Sequence, residues 1–135
     1  MSGVFLDTSA LYAFLVAEDE HHAQAAAIFD TLSAQTAFVC SSFVVQETVA
    51  LLQARIGVPA VRRFVSVVQP MLEIVWVDAA IYGRAIAALL AAGHRHVSLT
   101  DWTSFEVMRE RGIESAFAFD PHFKQHGFTL LDAAS

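Results

Sequence analysis

The chain has 135 residues, 56% of them hydrophobic and 16% charged, with 14 acids against 8 Lys and Arg and a formal charge of −6. That length argues for one domain over residues 1–135, burying roughly two-thirds of the unfolded chain's surface, and so few charges exclude intrinsic disorder. The acidic balance speaks against a basic nucleic-acid-binding module, whose phosphate-tracking surface carries surplus Lys and Arg.

Val4-Phe5-Leu6 opens the chain as a buried strand, and Ser9–Ala17 follows as a helix. Glu20–Ser33 reads as a second helix and Phe38-Val39-Cys40 as a second strand. Ser42–Arg55 is a helix ended by Gly57 and Pro59, and Ala60–Val68 is a shorter one before Pro70. Ile74–Val77 is the third strand. Ala79–Ala92 and Thr100–Arg111 are helices that stop at Gly93 and Gly112, as helices do at a C′ glycine. Ala116–Phe119 is the fourth strand and Phe128–Leu131 a weak fifth. The strand runs are continuously apolar rather than alternating, as expected of strands covered on both faces. Strands alternating with helices predict an α/β fold with a mostly parallel sheet. Ligands of such sheets bind beyond the carboxyl ends of the strands, where strand order reverses.

The acids fall at those ends. Asp7 follows the first strand and Asp120 the fourth. Asp101 opens a helix in Ser98-Leu99-Thr100-Asp101, and Glu47 lies inside an apolar helix. Each Asp has a plain structural reading. Asp is a favoured N-cap, Asp120 precedes Pro121 as at a helix start, and Ser98 with Asp101 has capping-box spacing. Glu47 resists that reading. It borders the core-facing stripe of Val44, Leu51 and Leu52, and a carboxylate buried there needs a base, a proton or a metal; a helix-edge Glu can also snorkel to water. Clustered carboxylates repel unless protons or cations neutralise them. An all-oxygen set suits hard ions such as Mg²⁺ or Mn²⁺, and two such ions suit phosphodiester hydrolysis.

Four segments in order carry a resemblance: Leu6-Asp7-Thr8-Ser9-Ala10, Gln46-Glu47-Thr48, Leu99-Thr100-Asp101-Trp102-Thr103-Ser104-Phe105 and Phe119-Asp120-Pro121-His122-Phe123. Together they resemble the PIN-domain ribonucleases, most of all the VapC toxins of toxin–antitoxin pairs, over essentially the whole chain. The resemblance implies a three-layer α/β/α fold with a mostly parallel five-stranded sheet. It implies a metal-dependent endoribonuclease using one or two Mg²⁺ or Mn²⁺ ions, with 5′-phosphate and 3′-hydroxyl products. Asp7, Glu47, Asp101 and Asp120 match the family's four acids as catalytic and metal-binding residues, with Asp7 and Asp101 the first choices for direct ligands. Thr8, Ser9, Ser98 and Thr100 match the small hydroxyls beside the acids, where they would cap helices or hold carboxylates in one rotamer. It also implies RNA as substrate, an antitoxin partner docking on an apolar groove, and a homodimer.

An acidic protein that binds RNA needs local positive charge, and His94-Arg95-His96, just before Ser98, is the candidate phosphate-binding loop. Arg55, Arg62 and Arg63 read as a solvated helix face. His122 and His126 stand four apart but lack the partners of a zinc site, and read as surface or capping residues. The apolar residues of the first half, Leu11, Tyr12, Phe14, Leu15 and Phe29 among them, are expected to be mostly core, with some left exposed as a groove. The longest apolar runs are eight residues, too short to span a bilayer, no secretory signal is recognisable, and Cys40 is alone, so a cytoplasmic location is expected. Two other readings stay open. One is a PIN-fold RNA-processing nuclease without an antitoxin. The other is a non-catalytic, Mg-binding, receiver-like signalling domain, which would need a strand-end Lys where this chain has only Lys124. A phosphatase of the DxDxT type lacks its second Asp.

Overall fold

A computed structural model describes residues 3–32 and 34–131. In chain order they form β1 (Val4–Leu6), α1 (Thr8–Leu15), α2 (His22–Thr31), β2 (Phe38–Ser41), α3 (Ser42–Arg55), α4 (Val58–Arg63), β3 (Leu72–Val75), α5 (Ala79–Ala92), α6 (Leu99–Arg111), β4 (Ser115–Phe117), α7 (His122–Gln125) and β5 (Thr129–Leu130). The five strands make one sheet in the order β3-β2-β1-β4-β5, and every pairing is parallel. Helices flank the sheet, giving the expected α/β/α arrangement. The chain runs outward from β1 to β3, then returns to the other side of β1 to lay down β4 and β5. The reversal of strand order therefore lies between β1 and β4.

Burial explains the central pair. Phe5 and Leu6 of β1, and Ala116 and Phe117 of β4, are fully buried, so these strands are apolar on both faces. Leu11, Ile28, Val44, Leu52, Phe105, Met108 and Phe123 bring the helices onto the same core. α3 starts where the Ser41 hydroxyl accepts from the Val44 N–H at 3.2 Å. α5 and α6 end at Gly93 and Gly112, both at positive φ (68° and 66°), the left-handed turn that a side chain would strain.

Several boundaries differ from expectation. The third strand lies two residues earlier, at Leu72–Val75, because those residues pair with Phe38–Ser41; Trp76 falls beyond it and is 69% exposed. The helix expected over Ala60–Val68 is α4 followed by a π-helical turn at Phe64–Val68, which buries Phe64 and Val68, and a 3₁₀ turn at Gln69–Met71. The second helix ends at Thr31; Ser33, its expected last residue, lies outside the described residues. The apolar first half is mostly core, as expected. Leu11 and Ile28 are core, and Tyr12, Phe14, Leu15 and Phe29 pack against it. Among the described residues, large apolar side chains are exposed on Ile56, Val58, Val65, Val67, Trp76 and Leu90. Among the described residues no helix is long and apolar enough to cross a membrane.

Candidate active site

A cavity of about 450 Å³ opens at the carboxyl edge of the sheet, at the reversal between β1 and β4, with Asp7, Glu47, Asp101 and Asp120 all in its wall. Each arrives by a local rule. The Asp7 N–H donates to Phe117 O at 3.1 Å, carrying the β1–β4 ladder one residue past the strand. Asp7 then caps α1: its Oδ2 accepts from the Ser9 N–H at 3.3 Å and the Ser9 hydroxyl at 2.7 Å. Ser9 Oγ in turn accepts from the Phe119 N–H at 3.0 Å. One serine thus ties the first acid to the strand end that leads to the fourth. The capping reading of Asp7 and the cluster reading are both true of it.

Asp101 sits in the first turn of α6. Its N–H donates to Ser98 Oγ at 3.1 Å, so Ser98 is the cap and Asp101 is delivered by the helix start. Ser98→Ala is expected to cost about 1 kcal/mol of stability, measured by urea unfolding, as loss of an N-cap does. Asp120 follows β4, and its Oδ1 accepts from the His122 N–H at 2.9 Å, a turn closed across Pro121. Glu47 is half-buried on α3, facing the cavity alongside Leu51 and Arg55 rather than the core.

Electrostatics follow from burial. Asp7 is 4% exposed and Asp101 7%. Burial, with the charges of Asp101 and Asp120 adding to it, pushes the Asp7 carboxyl up to about 7 against the pull of its Ser9 hydrogen bonds. Burial, then the Asp120 charge, raises Asp101 as well, opposed by His122 and Ser98. These groups crowd negative charge where water screens it poorly.

Asp101, Asp120 and His122 each offer a ligand atom within 4.8 Å of the others. Asp7 and Glu47 share the cavity but are not members of that triplet. The Thr8 hydroxyl also lines the cavity and is buried without a hydrogen-bond partner, while Thr100 lies outside the lining. Oxygen donors converging from four elements, raised carboxyl pKa values and an orphaned hydroxyl fit a divalent cation. Of the loop expected to bind phosphate, Arg95 and His96 line the cavity; His94 does not. Two further residues line the cavity. Arg55 lines the cavity with its guanidinium 5.4 Å from the centre of the Tyr12 ring, and His122 stands between two of the acids. The sequence signal for His122 was the Asp-Pro-His turn. That for Arg55 was its place two helical turns beyond Glu47.

The fold is that of the PIN domain, whose family profile matches residues 4–129; the chain belongs to that family. Within it the chain is a homologue of the VapC toxins. It is 32% identical over 126 residues to the 23S rRNA-specific endonuclease VapC20 of Mycobacterium tuberculosis, covering 93% of this chain and 95% of that one. The crystal structure of that relative, described as a sarcin–ricin loop cleaving toxin, matches with a TM-score of 0.86 at 30% identity over 96% of this chain and 99% of its own. FitAcB from Neisseria gonorrhoeae (TM-score 0.71, 16% identity, 97% and 98% of the two chains) shares the fold. So does VapBC2 from Rickettsia felis, solved with a promoter DNA fragment (0.69, 13%, 95% and 96%).

Proposed function

We propose that this chain is a metal-dependent endoribonuclease, the toxin of a toxin–antitoxin pair. The observation that carries the reading is the convergence of Asp7, Glu47, Asp101 and Asp120 on one solvent-connected cavity, with two of them buried. One or two Mg²⁺ or Mn²⁺ ions held by these carboxylates would supply the positive charge that activates water and stabilises the leaving oxygen of a phosphodiester. The protein's own contribution is order. Ser9 fixes the Asp7 rotamer, and Ser98 and His122 fix Asp101, so the donors need little rearrangement.

The cavity is of small-ligand size. RNA therefore enters as an unpaired strand or loop, the form in which bases and phosphates are accessible. That the relative VapC20 is named for 23S rRNA makes a structured ribosomal loop the first substrate to try. The test is cleavage of mixed tRNA, rRNA and mRNA under metal titration, with Asp101→Ala as control. Cleavage that persists in EDTA or in the variant sinks the reading.

Charge on the cavity rim supports a nucleic-acid substrate. Arg84, Arg109 and Arg111 are engaged by Glu106, Glu110 and Glu73. Arg55 and Arg95 both line the cavity, where they could take phosphates of the bound strand. Arg55→Ala and Arg95→Ala are each expected to raise KM several-fold and to flatten the salt dependence by about one phosphate contact, with kcat little changed. An unchanged salt slope would remove that arginine from the RNA path.

The antitoxin reading rests on exposed apolar surface. Leu15, Ala17, Ile56, Pro59 and Ala60 line a groove beside the cavity rim, and Ile56 and Val58 are more than half exposed. An amphipathic segment docked there would cover it. Copurification with a short partner encoded by the adjacent gene tests this, and sedimentation of the pair tests the homodimer. The receiver-like alternative loses ground to geometry, because Lys124 lines a different groove, with Phe119 and Phe128.

A further inference from the structure

His122 stands inside the acid cluster rather than beside it. Its Nδ1 lies 2.8 Å from Asp120 Oδ1 and 3.1 Å from Asp101 Oδ2. The backbone places it there: the His122 N–H bonds the same Asp120 oxygen at 2.9 Å, and Pro121 fixes the turn between them. The side chain is 20% exposed, so the ring reaches the cavity without being loose in solvent.

The spacing is that of ligands. Two donors on adjacent corners of an octahedral ion, each about 2.1 Å from it, lie about 3 Å apart. Nδ1 stands at that separation from both carboxylate oxygens. The nitrogen and the two oxygens all lie within 4.8 Å of one another, close enough to share one ion.

On the reading of this cavity as a divalent-cation site, we propose that His122 is a ligand of the ion held by Asp101 and Asp120, and that its nitrogen selects Mn²⁺ over Mg²⁺. Mg²⁺ is hard, takes oxygen donors and sheds water reluctantly. An imidazole nitrogen adds more to the binding of a softer transition ion than to that of Mg²⁺. Four carboxylates without the ring would discriminate less. In the metal-free protein the same nitrogen bonds the two carboxylates that share the ion with it, so the three groups are already assembled.

The experiment is Mn²⁺ binding to the metal-free protein, read by pulsed electron paramagnetic resonance for directly coordinated nitrogen and by calorimetry for affinity, with Mg²⁺ titrated in parallel. Wild type is expected to show the nitrogen coupling. His122→Asn is expected to lose it, with Mn²⁺ affinity down about tenfold or more and Mg²⁺ affinity within about threefold. His122→Gln carries the same comparison if the first variant does not fold. Absence of the coupling in wild type, its persistence in the variants, or an unchanged Mn²⁺/Mg²⁺ ratio overturns the assignment. The metal-nuclease reading survives those outcomes provided Mn²⁺ binds wild type and Asp101→Asn abolishes binding. If neither ion binds wild type, that reading fails and takes the assignment with it.

Discussion

Asp7→Asn is expected to cut RNA far more slowly than the wild type and, without metal, to be more stable than it at pH 8. Asp7 is buried, and its pKa is pushed from 3.8 to about 7, first by desolvation and then by Asp101 and Asp120. A carboxyl with a raised folded-state pKa holds its proton more tightly folded than unfolded. Its contribution is therefore fully present below pH 3.8 and is lost as pH rises through about 7. The shift of about three units corresponds to a cost of about 4 kcal/mol once the group is ionised. Asn keeps the shape and an acceptor for Ser9 but carries no charge. The variant should unfold roughly 10–15 °C above wild type at pH 8, the gap closing toward pH 4. Its cleavage should fall on the order of 10²–10³-fold, the scale on which loss of one electrostatic group acts. Thermal unfolding in EDTA from pH 4 to 8 checks the first half. An equal midpoint for both proteins at pH 8 would show that Asp7 is not held against its charge.

Divalent metal should do to the wild type what the substitution does to the variant. An ion that binds the folded chain and not the unfolded one stabilises it by about 2.7 kcal/mol at a hundred times its dissociation constant. Mn²⁺ or Mg²⁺ should therefore raise the wild-type midpoint, more at pH 8 than at pH 6, because Asp7 must give up its proton to bind. EDTA should reverse the shift and abolish cleavage together. Asp7→Asn and Asp101→Asn should respond weakly. A shift of the same size in all three proteins would place the ion outside this cavity.

The sheet was legible because strands buried on both faces cannot disguise themselves. Phe5 and Leu6, then Ala116 and Phe117, are runs with no polar break. β3 was misread by two residues for the converse reason. It is an edge strand with Glu73 inside it, where Arg111 pairs with it at 2.6 Å, so apolar continuity does not mark its limits. Asp7 and Asp120 were readable as strand-end acids, since chain order fixes the end of a strand at which they fall. The partners of those acids were not. Ser9 Oγ meets the Phe119 N–H across 110 positions of sequence. His122 gains its place from a turn, and Arg55 from its position at the end of α3 beside the cavity. Those are tertiary facts with no periodicity. Glu47 was singled out for bordering the core stripe. Its true environment, half-buried on a water-connected wall, is milder.

The four acids come from positions 7, 47, 101 and 120, and the last two are delivered by α6 and the turn after β4. Synthesis proceeds from the N-terminus, and no partial chain ending before Asp120 carries the whole set. A ribosome that stalls or a message that breaks midway releases a harmless fragment. If the chain cuts RNA as proposed, cutting power then arrives only once synthesis has passed Asp120.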